Sequence, residues 1–207
     1  MSDQSLKDEK YDLVFPYNGF HLYNLVAYQV PLDNNCFFHS IMLGIIKEYR
    51  NCSNSDGLPV DRYSLVMGFR KTLSELLDQL YDKLSRGALR EYSNAVPEYN
   101  LENLKKTVKG ANCVGLEVLE LTSIVLDINI VILDVDTLDV YMTGDHELLN
   151  SRNSGYVILL YNRKRVHYEL VGLKTNEGNI VTYFNQNHSL IKHIKDRISI
   201  LSKPNVS

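Results

Sequence analysis

The stretch from Tyr28 to Leu43, reading Tyr-Gln-Val-Pro-Leu-Asp-Asn-Asn-Cys-Phe-Phe-His-Ser-Ile-Met-Leu, constrains this chain more than any other. Asn24 to Val30 reads as a short strand that ends at Pro31, and Asp33, Asn34 and Asn35 are turn and cap formers. Behind them Phe38, Ile41, Met42, Ile45 and Tyr49 recur at helical spacing, which predicts a helix from Cys36 to Tyr49. A strand, a tight turn and an apolar helix therefore place Cys36 in a first helical turn. Backbone N–H groups and the positive end of the helix dipole favour an anion there, so Cys36 is a candidate nucleophile.

The rest of the chain reads as α+β. Residues 1–23 form a lead-in, with a charged, frayed start and an irregular aromatic stretch from Tyr11 to Tyr23. Residues 24–173 form the core, and residues 174–207 a C-terminal extension. Asn51 to Pro59 is a surface loop. Leu65, Phe69, Leu73, Leu76, Leu77, Leu80 and Leu84 predict a long helix over Arg62 to Arg86, ending near Gly87. A short helix is expected over Leu89 to Ala95, and a polar connection of weak helical character over Pro97 to Gly110. A helix over Gly115 to Asp127 then feeds a β-branched strand from Ile128 to Val135. Leu138 to Met142 and Tyr156 to Tyr161 are further strands, the latter making a hairpin with Val166 to Val171 through Arg163, Lys164 and Arg165. Between them Gly144 to His146 and Asn150 to Gly155 read as loop. Ile191, Ile194, Ile198 and Leu201 give the extension an amphipathic helix over 189–201 that packs on the core.

Composition narrows the function. At 207 residues the chain is one domain, and a net charge of −3 gives no basic footprint for nucleic acid. No apolar run is long enough for a membrane span, and no leader precedes the domain, so a soluble, unprocessed, cytoplasmic chain is expected. Three cysteines without a C-x-x-C pair argue against a disulfide framework and a zinc site.

A cysteine nucleophile needs a base, and the base needs an orienting group. Among six histidines His167 fits, because strand alternation puts Glu169 on its face roughly 7 Å along the backbone. The bland alternative is a buried cysteine and a structural histidine. His39 is read as structural, the Arg163 to Arg165 turn as solvated, Cys52 as incidental and Cys113 as a packing residue. His21, His146, His188 and His193 show no ligand spacing, so neither a metal nor a cofactor is expected.

Asp33-Asn-Asn-Cys-Phe-Phe-His-Ser40, Gly115-Leu-Glu-Val running on to Ile128-Asn-Ile-Val-Ile132, and Tyr156-Val-Ile-Leu-Leu-Tyr161 followed by His167-Tyr-Glu169 together resemble the OTU (ovarian tumour) family of papain-like cysteine proteases. The resemblance spans about residues 24 to 172, and its first and last blocks are the specific ones. It implies a papain-like OTU fold, a small twisted β-sheet packed between helices, and a deubiquitinase that cleaves isopeptide bonds of ubiquitin or ubiquitin-like conjugates through a thioester. Cys36 is then the nucleophile, His167 the base, Glu169 its orienting group, and Asp33, Asn34 and Asn35, with the Cys36 N–H, the oxyanion loop. Asn34 stands where the family usually has glycine, and Asn tolerates a positive φ best among other residues. Glu169 replaces the commoner Asp or Asn. The implied partner is ubiquitin or polyubiquitin, bound by a monomer. The Asn-, Ile- and Lys-leaning composition suits a bacterial effector or viral protein in a host cytosol. Alternatives of other kinds are a ubiquitin-binding module that kept the fold without the activity, and a papain-like acyltransferase or protease of another substrate.

Overall fold

The computed structural model describes residues 9–16, 19–84, 101–110, 113–142 and 155–201. The helix expected over Leu89 to Ala95 and the loops expected around Gly144 to His146 and Asn150 to Ser154 lie outside them. Strand β1 (Lys10–Leu13) leads to β2 (Leu25–Tyr28), α1 (Cys36–Ile45), α2 (Lys47–Asn51), α3 (Arg62–Leu84), α4 (Leu101–Lys109) and α5 (Leu116–Leu126). Then come β3 (Asn129–Asp134), β4 (Val140–Met142), β5 (Tyr156–Asn162), β6 (His167–Lys174), β7 (Ile180–Val181) and α6 (Ser189–Leu201).

The strands form one mixed sheet ordered β1-β2-β6-β5-β3-β4, with β7 beside β6. Among the described residues its single parallel pair is β3 with β5, and the other pairs are antiparallel. Side chains alternate across β5. Val157 and Leu159 face a core shared with α1, α3, α4 and α5, whereas Ile158 and Leu160 face a second core built with Phe15, Phe20 and α6. Burial on both faces explains why β3 and β5 read as unbroken apolar runs. The α+β architecture, a sheet between helices, follows. Helix α1 lies in the larger core against β6, and its residues 36–44 are all buried. No described helix is long and apolar enough to cross a membrane.

Four elements differ from expectation. The lead-in contains β1, paired antiparallel with β2 with Tyr11 opposite Ala27, and it seats Phe15 and Phe20 edge to face in the second core. The Cys36 helix ends at Ile45 instead of Tyr49, because Ile46 turns extended and the Arg50 guanidinium takes over the orphan carbonyls of Leu43 and Gly44. The connection before Gly110 forms α4, held by Leu104 and Val108, four residues apart and buried against α3. Strand β7, a two-residue pairing with β6, has no counterpart in the sequence pattern.

The β5–β6 turn is anchored rather than freely solvated. Arg163 pairs with the fully buried Asp134, and the Arg163 N–H donates to Asp136 at 2.8 Å. Lys164 pairs with Asp136 at 3.3 Å. Asp134 also accepts the N–H groups of Asp136 and Thr137. Arg163→Ala leaves that carboxylate buried without its cation and is expected to lower the midpoint of urea unfolding clearly. Lys164→Ala, at an exposed pair, is expected to change stability by under about 0.5 kcal/mol. Equal effects of the two would refute the anchoring.

Candidate active site

The turn before α1 is tied down by its own side chains. Asp33 accepts the Asn35 N–H at 2.8 Å through Oδ1, and its Oδ2 lies 3.3 Å from both Asn35 Nδ2 and His39 Nε2. His39 is buried, and burial pushes its imidazole pKa below the ordinary value, so the ring is neutral. A neutral ring satisfies both neighbours when Nε2–H donates to Asp33 and Nδ1 accepts from the Tyr49 hydroxyl at 2.6 Å. The bend after Ile45 brings Tyr49 back to this position. His39 is thus structural, and what it supports is Asp33.

Cys36 opens α1 and is only 3 % exposed, with its Sγ 3.9 Å from the Val166 carbonyl. The chain reaches that carbonyl through a φ of 48° at Val166, a conformation that β-branched residues rarely hold. The anchored β5–β6 turn imposes it, and it delivers His167 at the start of β6, opposite Asn162. His167 directly follows Val166, whose carbonyl meets the Cys36 sulfur, so its imidazole interacts electrostatically with Cys36. Its Nε2 is 3.7 Å from Glu169 Oε1, an ion-pair contact longer than a hydrogen bond. The interaction with Cys36, followed by that with Glu169, outweighs burial and raises the imidazole pKa to about 9.

Glu169 shares the His167 face of β6, and its second oxygen accepts a hydrogen bond from the Tyr11 hydroxyl. Burial works against ionisation, but the His167 contact and the Tyr11 hydrogen bond prevail and hold its carboxyl below the ordinary range. Burial and the adjacent carboxylate push the Tyr11 phenol up, so it stays a donor. The extra methylene of Glu169 is accommodated because β1 supplies a hydroxyl for the carboxylate to rest on.

The structure thus brings Cys36, His167, Glu169 and the Asp33–Asn35 turn to one place, where a thiol meets a cationic imidazole backed by a carboxylate. The turn differs in detail from the expected oxyanion loop. Asn34 is not among the described residues of positive φ, so no glycine is needed; its side chain instead accepts from the Cys113 thiol at 3.2 Å. Burial, with Cys36 nearby, pushes the Cys113 pKa up, and Cys113 is an exposed donor to the turn instead of a packing residue. The Asn35 N–H is committed to Asp33, whereas the Asn34 N–H has no hydrogen-bond partner among the described residues. The Cys36 N–H makes only a 3.3 Å contact with the Asp33 carbonyl.

Sequence reasoning missed Tyr11 and Arg70. Nothing in the exposed β1 segment signals Tyr11. Arg70, by contrast, interrupts the apolar stripe of α3, and that interruption was a readable signal.

No family profile and no curated protein sequence matches this chain. Solved structures do. The structure of an ovarian tumour (OTU) domain in complex with ubiquitin is similar at a TM-score of 0.58 and 18 % identity, covering 95 % of this chain and 94 % of that one. The OTU of Hazara virus bound to ubiquitin matches at a TM-score of 0.48 and 18 % identity, over 82 % and 89 % of the two chains. The viral OTU domain protease of Dera Ghazi Khan virus matches at 0.49 and 16 %, over 81 % and 87 %. The first of these likenesses shows the fold.

Proposed function

We propose that this chain, whose fold is that of an OTU domain, is a cysteine-dependent deubiquitinase. The observation that carries the reading is the meeting of Cys36 at the start of α1 with His167 at the start of β6, with Glu169 held between His167 and Tyr11. Below about pH 9 the imidazole of His167 holds its proton beside Cys36, where that proton is available to a leaving amine. The Cys36 thiolate attacks the carbonyl carbon at the C-terminal glycine of ubiquitin, forming a C–S bond and an oxyanion. The Asn34 and Cys36 N–H groups are the donors left to receive it. With Nε2 turned to Glu169, Nδ1 of His167 is left to protonate the leaving lysine amine as the C–N bond breaks. Water, deprotonated by His167, then hydrolyses the thioester and returns the thiol and a free ubiquitin carboxylate.

The partner in this reading is ubiquitin or polyubiquitin, met by a single chain in the cytoplasm, or in a host cytosol if the protein is an effector or viral product. Incubation with a panel of di-ubiquitins tests it. Release of mono-ubiquitin from at least one linkage is expected. Binding without cleavage at high protein concentration would leave only a ubiquitin-binding module of the same fold.

Tyr11→Phe measures what the hydroxyl on Glu169 contributes. Losing one hydrogen bond to a charged group that acts through two others is expected to lower kcat by about 3- to 10-fold with KM little changed. A variant indistinguishable from the parent in kcat would leave Tyr11 a purely structural residue of β1.

A further inference from the structure

Arg70 lies on α3 in the buried stripe Val66, Arg70, Leu73, Leu77, each at 0 % exposure. Its guanidinium rests over the Phe38 ring at 4.7 Å and donates in two directions. Nε donates to the Val108 carbonyl at 2.9 Å, and Nη2 to the Thr107 carbonyl at 2.8 Å and to the Gly110 carbonyl. These are orphan acceptors at the end of α4, where a cation is favoured. Nη1 reaches the other way, to Asn35 Oδ1 at 2.9 Å and the Asn34 carbonyl at 3.4 Å. None of these five acceptors is charged.

Capping α4 accounts for three of these five bonds. The other two act on the turn that precedes the nucleophile. The Asn34–Asn35 peptide is consequently held at both ends, its oxygen by Arg70 and its N–H by Asp33. The two N–H groups that flank this plane, on Asn34 and Cys36, are those the deubiquitinase reading assigns to the oxyanion. A guanidinium presents five donors in a rigid fork, whereas a lysine ammonium has three on a flexible stem and cannot span α4 and the turn together.

Resting on that reading, we propose that Arg70 is a positioning residue of the cysteine site, aiming the Asn34 and Cys36 N–H groups by clamping the Asp33–Asn35 turn to the end of α4. The test uses the full-length chain and two variants, Arg70→Lys and Asn35→Ala. Asn35→Ala removes the Oδ1 that Arg70 holds, and with it the longer Nδ2 contact to Asp33, while leaving the α4 cap in place, so it carries the test alone if Arg70→Lys does not fold. Two rates are read on chains with a cooperative unfolding transition. One is hydrolysis of ubiquitin carrying a C-terminal fluorogenic amide. The other is alkylation of Cys36 by iodoacetamide, followed by peptide mass, which needs the thiol and its base but no oxyanion site.

Misaiming one such donor is expected to lower kcat by about 10- to 100-fold. KM and the alkylation rate should both stay within about threefold of the parent. Unchanged kcat in the folded variants overturns the proposal, as does a parallel fall in kcat and alkylation, which would place the damage at the thiol and its base. A parent chain inert toward ubiquitin overturns the deubiquitinase reading and this role with it, whereas active variants of an active parent overturn this role alone.

Discussion

Cys36→Ala is expected to lower cleavage of ubiquitin conjugates by at least about 10⁴-fold, because removing a nucleophile forces the reaction through unassisted water. The same substitution should abolish covalent capture by ubiquitin bearing a C-terminal electrophile. The directing force is the bound ubiquitin, not thiol exposure, and the three thiols separate the two cleanly. Cys52 and Cys113 are exposed and Cys36 is buried, so a small unselective alkylating agent favours the first two by access alone. A probe delivered by ubiquitin must instead find the sulfur that lies beside His167. Peptide mapping of the adduct decides between them. Modification of Cys52 or Cys113 in the parent chain, or undiminished capture in Cys36→Ala, would sink the assignment. The fold should survive the change, since alanine keeps the helical backbone of α1 and deletes one buried sulfur, at a cost of about 1 kcal/mol.

Both halves of the candidate site were legible for local reasons. The Cys36 helix announces itself because the turn formers and the apolar period sit within one short stretch, and β6 because alternation places His167 and Glu169 on a common face. What escaped was everything defined by distant contact. β1 shows no alternation, being an exposed edge strand with Lys10 and Asp12 around Tyr11, so its pairing with β2 and its gift of a hydroxyl to Glu169 exist only in three dimensions. Strand β7 is two residues long and owes its existence to β6. The break after Ile45 depends on Arg50 folding back, which no periodicity encodes. The question raised by Asn34 disappears for a similar reason. The turn is held by Asp33, His39 and Arg70 in a conformation that Asn34 adopts without a positive φ, so the residue that looked like a departure supplies an acceptor for Cys113.

His167→Ala should be nearly as damaging as loss of the thiol, by about 10³-fold or more, since one ring serves as both base and acid. Its titration supplies a sharper test. With its pKa raised to about 9, chiefly by Cys36 and then by Glu169, His167 keeps its proton through neutrality. Acyl transfer that needs the imidazolium to protonate the leaving amine should therefore hold to about pH 9 and fall beyond it. Stability follows the same group. A histidine whose folded pKa lies above its unfolded value of about 6.5 stabilises the fold fully below 6.5 and loses that contribution as pH rises through 9. The parent should lose stability across this window with a slope of up to about 1.4 kcal/mol per pH unit, and His167→Ala should show no such slope. Glu169→Gln removes a carboxylate that favours the cation, so its alkaline limb in kcat/KM should move to lower pH while Cys36 still reacts with the ubiquitin probe. Rates measured from pH 5 to 11 and urea unfolding at pH 6.5 and 9 make the comparison. An alkaline limb that stays in place in Glu169→Gln would show that the carboxylate neither faces nor tunes the histidine, and the third member of the site would have to be sought elsewhere.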